Sequence, residues 1–266
     1  MIRKKARDMM EDHFSIKGKT ALITGGSRGI GLMMARGFVE AGAKVYISSR
    51  KADVCQKTAG ELSKKGTCIA IPSDLSKDEG VKNLVSELEK QESSLDVLIN
   101  NAGAGWEAPL ETFPEIGWDK VLAINLKAIF MVTRDLLGLL SAAGTAKDPA
   151  RVINIGSIAA FTARSLSVYS YGPSKAAVHH LTRVLAGELA SRHITVNAIA
   201  PGRFPSQMTT NVMENKEQYD REVSEIPLKR WGEPDDIVGL SIFLASPASA
   251  YITGVVIPLD GGRLLV

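Results

Sequence analysis

The chain has 266 residues, 45% of them hydrophobic and 23% charged, the make-up of a globular domain with a substantial core. A formal net charge of +3, with no Lys/Arg run longer than Arg3-Lys4-Lys5, is too mild for a nucleic-acid binder. Cys55 and Cys68 give no disulfide framework and suit a reduced cytoplasmic chain, His13, His179, His180 and His193 show no metal-ligand spacing, and no apolar run is long enough to span a bilayer.

Residues 1–14 mix basic and acidic side chains without an apolar stretch. They read as an N-terminal tail and not a secretory signal, and residues 15–266 read as one domain. Apolar, β-rich runs predict strands at 20–24, 44–48, 68–72, 95–100, 151–156, 195–200 and 255–259. Most are continuous rather than alternating, the pattern of parallel strands covered on both faces. Helix-like stretches fall at 30–41, 52–64, 77–91, 118–140, 174–192 and 235–244. The expected fold is therefore α/β, a Rossmann-like doubly wound parallel sheet of seven strands with helices on both faces. Residues 203–232 break the rhythm. This long polar stretch, bounded by Pro201-Gly202 and Gly232-Glu233-Pro234, reads as a substrate loop over the ligand crevice.

The first strand runs straight into Thr24-Gly25-Gly26-Ser27-Arg28-Gly29-Ile30-Gly31, and a helix pattern follows. Glycines at such a turn let the backbone approach a pyrophosphate, which the helix N-terminus stabilises. The plainer account is a tight turn and nothing more. An acid that would bind the adenosine ribose of NAD is missing after the second strand, where Ser48-Ser49-Arg50 stands instead. Arg50, with Arg28 from the glycine turn, suits a 2′-phosphate through charge-assisted contacts, so the expected cofactor is NADP(H). Solvated surface arginines are the competing account. Asp74-Leu75 is placed to cap the adenine, and Asn100-Asn101-Ala102-Gly103 closes the fourth strand where the backbone passes the cofactor.

Tyr171-Gly172-Pro173-Ser174-Lys175 puts a phenol and an ammonium four residues apart on one helix face, with Pro173 suited to the first turn. A neighbouring ammonium favours phenolate, so Lys175 is expected to lower the Tyr171 pKa and make it a proton shuttle for a carbonyl under reduction. Ser157, ending the fifth strand, can hydrogen-bond the substrate oxygen. Asn125, an amide inside the long predicted helix, points to a functional hydrogen bond, for example to a proton-relaying water. Singly, each has an ordinary account as a helix-face aromatic, a solvated lysine or a turn serine. Tyr169 has no lysine four residues after it.

In order and spacing, residues 24–31 and 100–103, Asn125, Ser157, Tyr171, Lys175 and Pro201-Gly202 resemble the short-chain dehydrogenase/reductases, over about residues 15–266. Residues 198–201 and 251–254 and Asp260-Gly261-Gly262 resemble the 3-oxoacyl-[acyl-carrier-protein] reductase branch. Within it, 152–157, 169–175, 200–206 and 227–232 resemble the rhamnolipid-associated 3-ketoacyl reductases. The resemblance implies Tyr171 as general acid, Lys175 lowering its pKa and holding the nicotinamide ribose, Ser157 orienting substrate and Asn125 supporting a water chain. It implies cofactor contacts from Gly25, Ser27, Arg28, Gly29, Ile30, Gly31, Arg50, Asp74, Leu75, Asn101, Ala102, Gly103, Tyr171, Lys175, Pro201, Gly202 and Ser206. Ser206 stands where the family often has a threonine against the nicotinamide carboxamide.

The implied reaction is NADPH-dependent reduction of a 3-oxoacyl thioester, on acyl carrier protein or coenzyme A, feeding lipid or rhamnolipid synthesis. The implied assembly is a homodimer or homotetramer in the cytoplasm, without nucleic-acid, membrane or metal partners. Arg192 resembles a carrier-contacting arginine of the fatty-acid reductases, and Lys147 lies near another such position. Two other readings stay open. One is a reductase or dehydrogenase of another ketone or alcohol, such as a sugar, steroid or xenobiotic. The other is a non-catalytic NADP(H)-binding regulatory protein on the same fold, against which the presence of both Tyr171 and Lys175 weighs.

Overall fold

A computed structural model describes residues 12–163, 167–206 and 209–266; most of the tail expected at 1–14 lies outside them. Seven parallel strands form one sheet in the order β3-β2-β1-β4-β5-β6-β7. They are β1 Thr20–Thr24, β2 Lys44–Ser48, β3 Thr67–Ala70, β4 Val97–Asn100, β5 Ala150–Ile155, β6 Ile194–Pro201 and β7 Val256–Leu259. The order reverses between β1 and β4, and in open α/β sheets the ligand crevice lies outside the carboxyl ends of the strands at that point.

Ten α-helices lie wholly within the described residues: α1 Gly29–Glu40, α2 Ala52–Leu62, α3 Asp78–Glu89, α4 Glu115–Leu122, α5 Ala128–Asp135, α6 Leu137–Ala143, α7 Tyr171–Leu189, α8 Thr210–Glu214, α9 Lys216–Ser224 and α10 Pro234–Ala245. Successive strand residues face opposite sides of the sheet. Ala21, Ile23, Val45, Ile47, Val97 and Ile99 meet Met34 and Phe38 of α1, Ala59 of α2 and Leu244 of α10 on one face. Leu22, Tyr46, Leu98 and Val152 meet Leu84 of α3, Val132 of α5, Leu140 of α6 and Leu185 of α7 on the other. Burial on both faces is why these strands read as unbroken apolar runs.

A polar chain crosses the second layer close under the crevice. Asn100 Nδ2 donates to Thr133 Oγ1 of α5 (3.2 Å) and to Asn154 Oδ1 of β5 (2.9 Å), and Asn154 Nδ2 donates to Thr182 Oγ1 of α7 (3.0 Å). Every bond in it is buried, so the chain fixes α5 and α7 against the strand ends without leaving these amide donors orphaned.

Three expectations are corrected. The helix expected at 118–140 begins at Glu115, opens into a π-helical turn at Ala123–Lys127 and is interrupted again at Leu136 before α6. Asn125 on the π turn bonds main chain that follows β4, and such a tertiary tie has no signature in helical periodicity. The helix expected at 174–192 starts at Tyr171 and ends at Leu189, with a 3₁₀ turn at Ala190–Arg192. That start puts Pro173 in the first turn, as its missing N–H requires. The stretch at 203–232 is not loop alone, because α8 and α9 lie within it.

Candidate active site

The glycine turn is built for close approach. Gly25 and Gly29 have φ of +67° and +54°, the left-handed region that favours glycine. A Cβ on Gly31 would sit 2.3 Å from the Gly25 carbonyl oxygen and 2.4 Å from Asn101 Nδ2, so only glycine lets α1 start there. Around Gly29 the space is open, its built Cβ meeting Ser206 Cβ at 3.5 Å. Thr24 Oγ1 accepts from the amides of Asn101 and Ala102, each at 3.0 Å, while Asn101 Nδ2 donates to the Thr24 carbonyl at 2.9 Å. The turn after β1 and the loop after β4 are thereby one unit.

This cradle fits a dinucleotide. Its left-handed glycines and the N-terminus of α1 form the kind of backbone site that receives a phosphate. Ser48 Oγ, at the end of β2, is buried without a hydrogen-bond partner, and Arg50 and Arg28 are both exposed beside the crevice. Asp74 Oδ1 is already engaged by Ser76, through its amide at 3.2 Å and its hydroxyl at 2.7 Å. Leu75 is buried in the core, leaving its main chain to face a ligand. Pro201 ends β6, and Gly202 donates its N–H to the Leu259 carbonyl at 2.9 Å. Ser206 is held in a turn by Thr209, whose Oγ1 accepts from the Ser206 amide at 2.9 Å. Among the described residues no cluster of His, Cys, Asp or Glu could hold a metal.

Ser157, Tyr171 and Lys175 converge where β5 ends and α7 begins. The Ser157 hydroxyl favours the ionised form of the Tyr171 phenol and, through Oγ, accepts from Ala159 N at 3.1 Å. Lys175 is buried, its Nζ 5.7 Å from the centre of the Tyr171 ring and donating to the Ile155 carbonyl at 2.7 Å. Burial pushes the Lys175 ammonium down to about 8. Burial raises the Tyr171 pKa, and the opposing pulls come from Ser157 and from the charge of Arg203.

The side chain of Asn125 is held on three sides. Both donors of its amide are engaged, with the Ala104 carbonyl (3.0 Å) and Ser174 Oγ (2.9 Å), and Oδ1 accepts from Ala104 N (2.8 Å). The side-chain amide is therefore bound to protein and braces the loop after β4. Gly103 of that loop faces the site, its built Cβ 3.3 Å from Asn125 Oδ1 and 3.7 Å from Lys175 Nζ.

Arg203, directly after Pro201-Gly202, was not singled out from sequence. It pairs with Glu222 of α9 at 2.8 Å, and its charge favours the ionised form of the Tyr171 phenol. An arginine immediately past a strand's carboxyl end was the available signal. Arg192 and Lys147 precede β6 and β5, at the edge of the sheet opposite the crevice. Arg192 is separated from Tyr171 by the whole 19-residue helix α7, a span of roughly 28 Å at ~1.5 Å per residue.

The doubly wound sheet, the glycine cradle and the Ser–Tyr–Lys cluster define an oxidoreductase of the nucleotide-binding type. The family model described as Enoyl-(Acyl carrier protein) reductase matches residues 25–263, and the chain belongs to that family, within the short-chain dehydrogenase/reductases. It is similar to the rhamnolipids biosynthesis 3-oxoacyl-[acyl-carrier-protein] reductase of Pseudomonas aeruginosa, 49% identical over 95% of this chain and 99% of that one. A structure of the Pseudomonas aeruginosa RhlG/NADP active-site complex superposes with a TM-score of 0.93, at 49% identity, covering 95% of this chain and 99% of that chain. The 5-keto-D-gluconate 5-reductase of Escherichia coli is 34% identical, over 96% of this chain and 99% of its own. No helix among the described residues is long and apolar enough to cross a membrane.

Proposed function

We propose that this protein is an NADPH-dependent reductase of 3-oxoacyl thioesters, yielding the 3-hydroxyacyl thioester. The observation that carries the reading is the convergence of Ser157, Tyr171 and buried Lys175 where β5 ends and α7 begins, in a chain 49% identical to a 3-oxoacyl-[acyl-carrier-protein] reductase. NADPH, when bound, supplies the hydride. Gly25, Ser27, Gly29, Ile30 and Gly31 hold its pyrophosphate, Arg28 and Arg50 its 2′-phosphate, and Asp74 and Leu75 its adenine. Asn101, Ala102, Gly103, Pro201, Gly202, Ser206, Tyr171 and Lys175 line the nicotinamide half.

The chain's own chemistry is proton delivery. Ser157 hydrogen-bonds the substrate carbonyl oxygen, and Tyr171 gives that oxygen its proton as the alkoxide develops. Lys175 keeps a positive charge beside the phenol, and Asn125 holds the loop that shapes the wall opposite. Residues 15–266 act as one domain, and the segment 203–232 covers the substrate.

The Escherichia coli likeness raises a sugar-acid reductase as the second reading. A sugar acid needs a cation for its carboxylate; Arg203, whose charge reaches Tyr171, is already paired with Glu222 at 2.8 Å, and Lys175 is bonded to the Ile155 carbonyl. That pairing favours the uncharged acyl thioester end. If acyl carrier protein docks at Arg192, it serves a neighbouring subunit's crevice, given the length of α7. Val184 on α7 and Phe130 on α5, 53% and 42% exposed, support such self-association. NADPH consumption with a 3-oxoacyl thioester, and none with 5-keto-D-gluconate, is the assay that decides.

A further inference from the structure

One buried side chain next to Ser157 has no part in the chemistry above. His179 lies one helical turn after Lys175 on α7, is 4% exposed, and its Nε2 has no hydrogen-bond partner. The ring fills the space that Gly156 leaves empty: a Cβ built on Gly156 would stand 2.1 Å from Nε2 and 2.6 Å from Cδ2. From a second side the ring meets Phe161, with centroids 4.8 Å apart and planes tilted by 39°. Phe161 closes the 3₁₀ turn, Ile158–Ala160, that Ser157 caps. Gly156 itself is fixed to β6 by its N–H donating to the Ile199 carbonyl at 2.7 Å. The imidazole thus touches the chain on both sides of Ser157 while standing on the helix that carries Tyr171 and Lys175.

Burial, with the like charges of Lys175 and Arg183, pushes the imidazole down to about 4. It stays neutral near pH 7 and adds no second cation to the pocket.

We infer that His179 is a positioning residue, which with the missing side chain of Gly156 sets the place of the Ser157 hydroxyl relative to Tyr171. The inference rests on the reductase reading of the site. A side chain at position 156 and the imidazole at 179 compete for one volume, so their effects are coupled and not additive.

The test is a double-mutant cycle of Gly156→Ala and His179→Ala, read as kcat with the carbonyl substrate and as NADPH affinity by fluorescence. Gly156→Ala should lower kcat at least tenfold while NADPH affinity stays within about twofold. The double variant should recover to within about threefold of His179→Ala alone, because the volume has been vacated. Multiplicative losses in the double variant, or a Gly156→Ala enzyme with wild-type kcat, would overturn the inference. Should Gly156→Ala fail to fold, the double variant still decides. Folded and as active as His179→Ala, it supports the coupling; unfolded as well, it contradicts it. Full turnover in Tyr171→Phe would instead defeat the reductase reading, so the two failures are distinguishable.

Discussion

Lys175 Nζ lies 5.7 Å from the centre of the Tyr171 ring, yet it donates to the Ile155 carbonyl at 2.7 Å. The ammonium is thereby anchored to the end of β5, two residues before Ser157, at a depth where burial opposes its charge. The stability of the chain and the chemistry of the site pull in opposite directions at this residue.

Replacing Lys175 by Met should therefore stabilise the cofactor-free chain while removing turnover. Its pKa falls from 10.5 in the unfolded chain to about 8, so holding it charged costs roughly 3 kcal/mol below pH 8. The penalty shrinks as pH rises from 8 to 10.5 and vanishes above that. Losing the bond to Ile155 offsets about 1 kcal/mol of the gain. Urea unfolding at pH 7 should show a net gain of about 2 kcal/mol that disappears by pH 11. A loss at pH 7 would mean the buried ammonium is not the strain described.

Arg203 gives a pH prediction whose sign is fixed. Its charge lowers the Tyr171 pKa, so removing it should raise that pKa. Carbonyl reduction needs the protonated phenol, and its rate falls as pH rises through the Tyr171 pKa. In Arg203→Met the alkaline fall of kcat/KM should move to higher pH. A shift to lower pH, or none, would place Arg203 outside the reach of the phenol.

Cofactor choice is checked at the end of β2. Wild type should favour NADPH over NADH, and Arg50→Ala should narrow the preference by about 1–3 kcal/mol, the worth of a charge-assisted hydrogen bond. Paired kcat/KM measurements with the two cofactors read it directly. Equal use of both by the wild type would contradict the assignment of Arg50 and Arg28 to a 2′-phosphate.

How much of this was legible in the sequence depends on how local the cause is. Strands β1 and β2 match their apolar runs residue for residue, because continuous burial on two faces writes itself into composition. The glycine turn and the Tyr171–Lys175 pair were equally plain, both being short-range patterns. The π turn at Ala123–Lys127 was hidden, since Asn125 finds its partners at Ala104 and Ser174, 21 and 49 residues away. The same holds for Arg203, whose effect on Tyr171 and pairing with Glu222 depend on how β6 and α9 pack. The direction of the Lys175 ammonium followed from neither spacing nor helix geometry, because it depends on where β5 ends relative to α7.

The most direct test is the product formed from a 3-oxoacyl thioester by wild type and by Tyr171→Phe. With NADPH, wild type should consume one equivalent of cofactor per 3-hydroxyacyl thioester formed, and 5-keto-D-gluconate should go unreduced. Tyr171→Phe should bind NADPH with unchanged affinity and turn over at least about 100-fold more slowly. A Tyr171→Phe enzyme that keeps its rate, or a wild type that reduces 5-keto-D-gluconate and leaves the thioester untouched, would contradict the assignment.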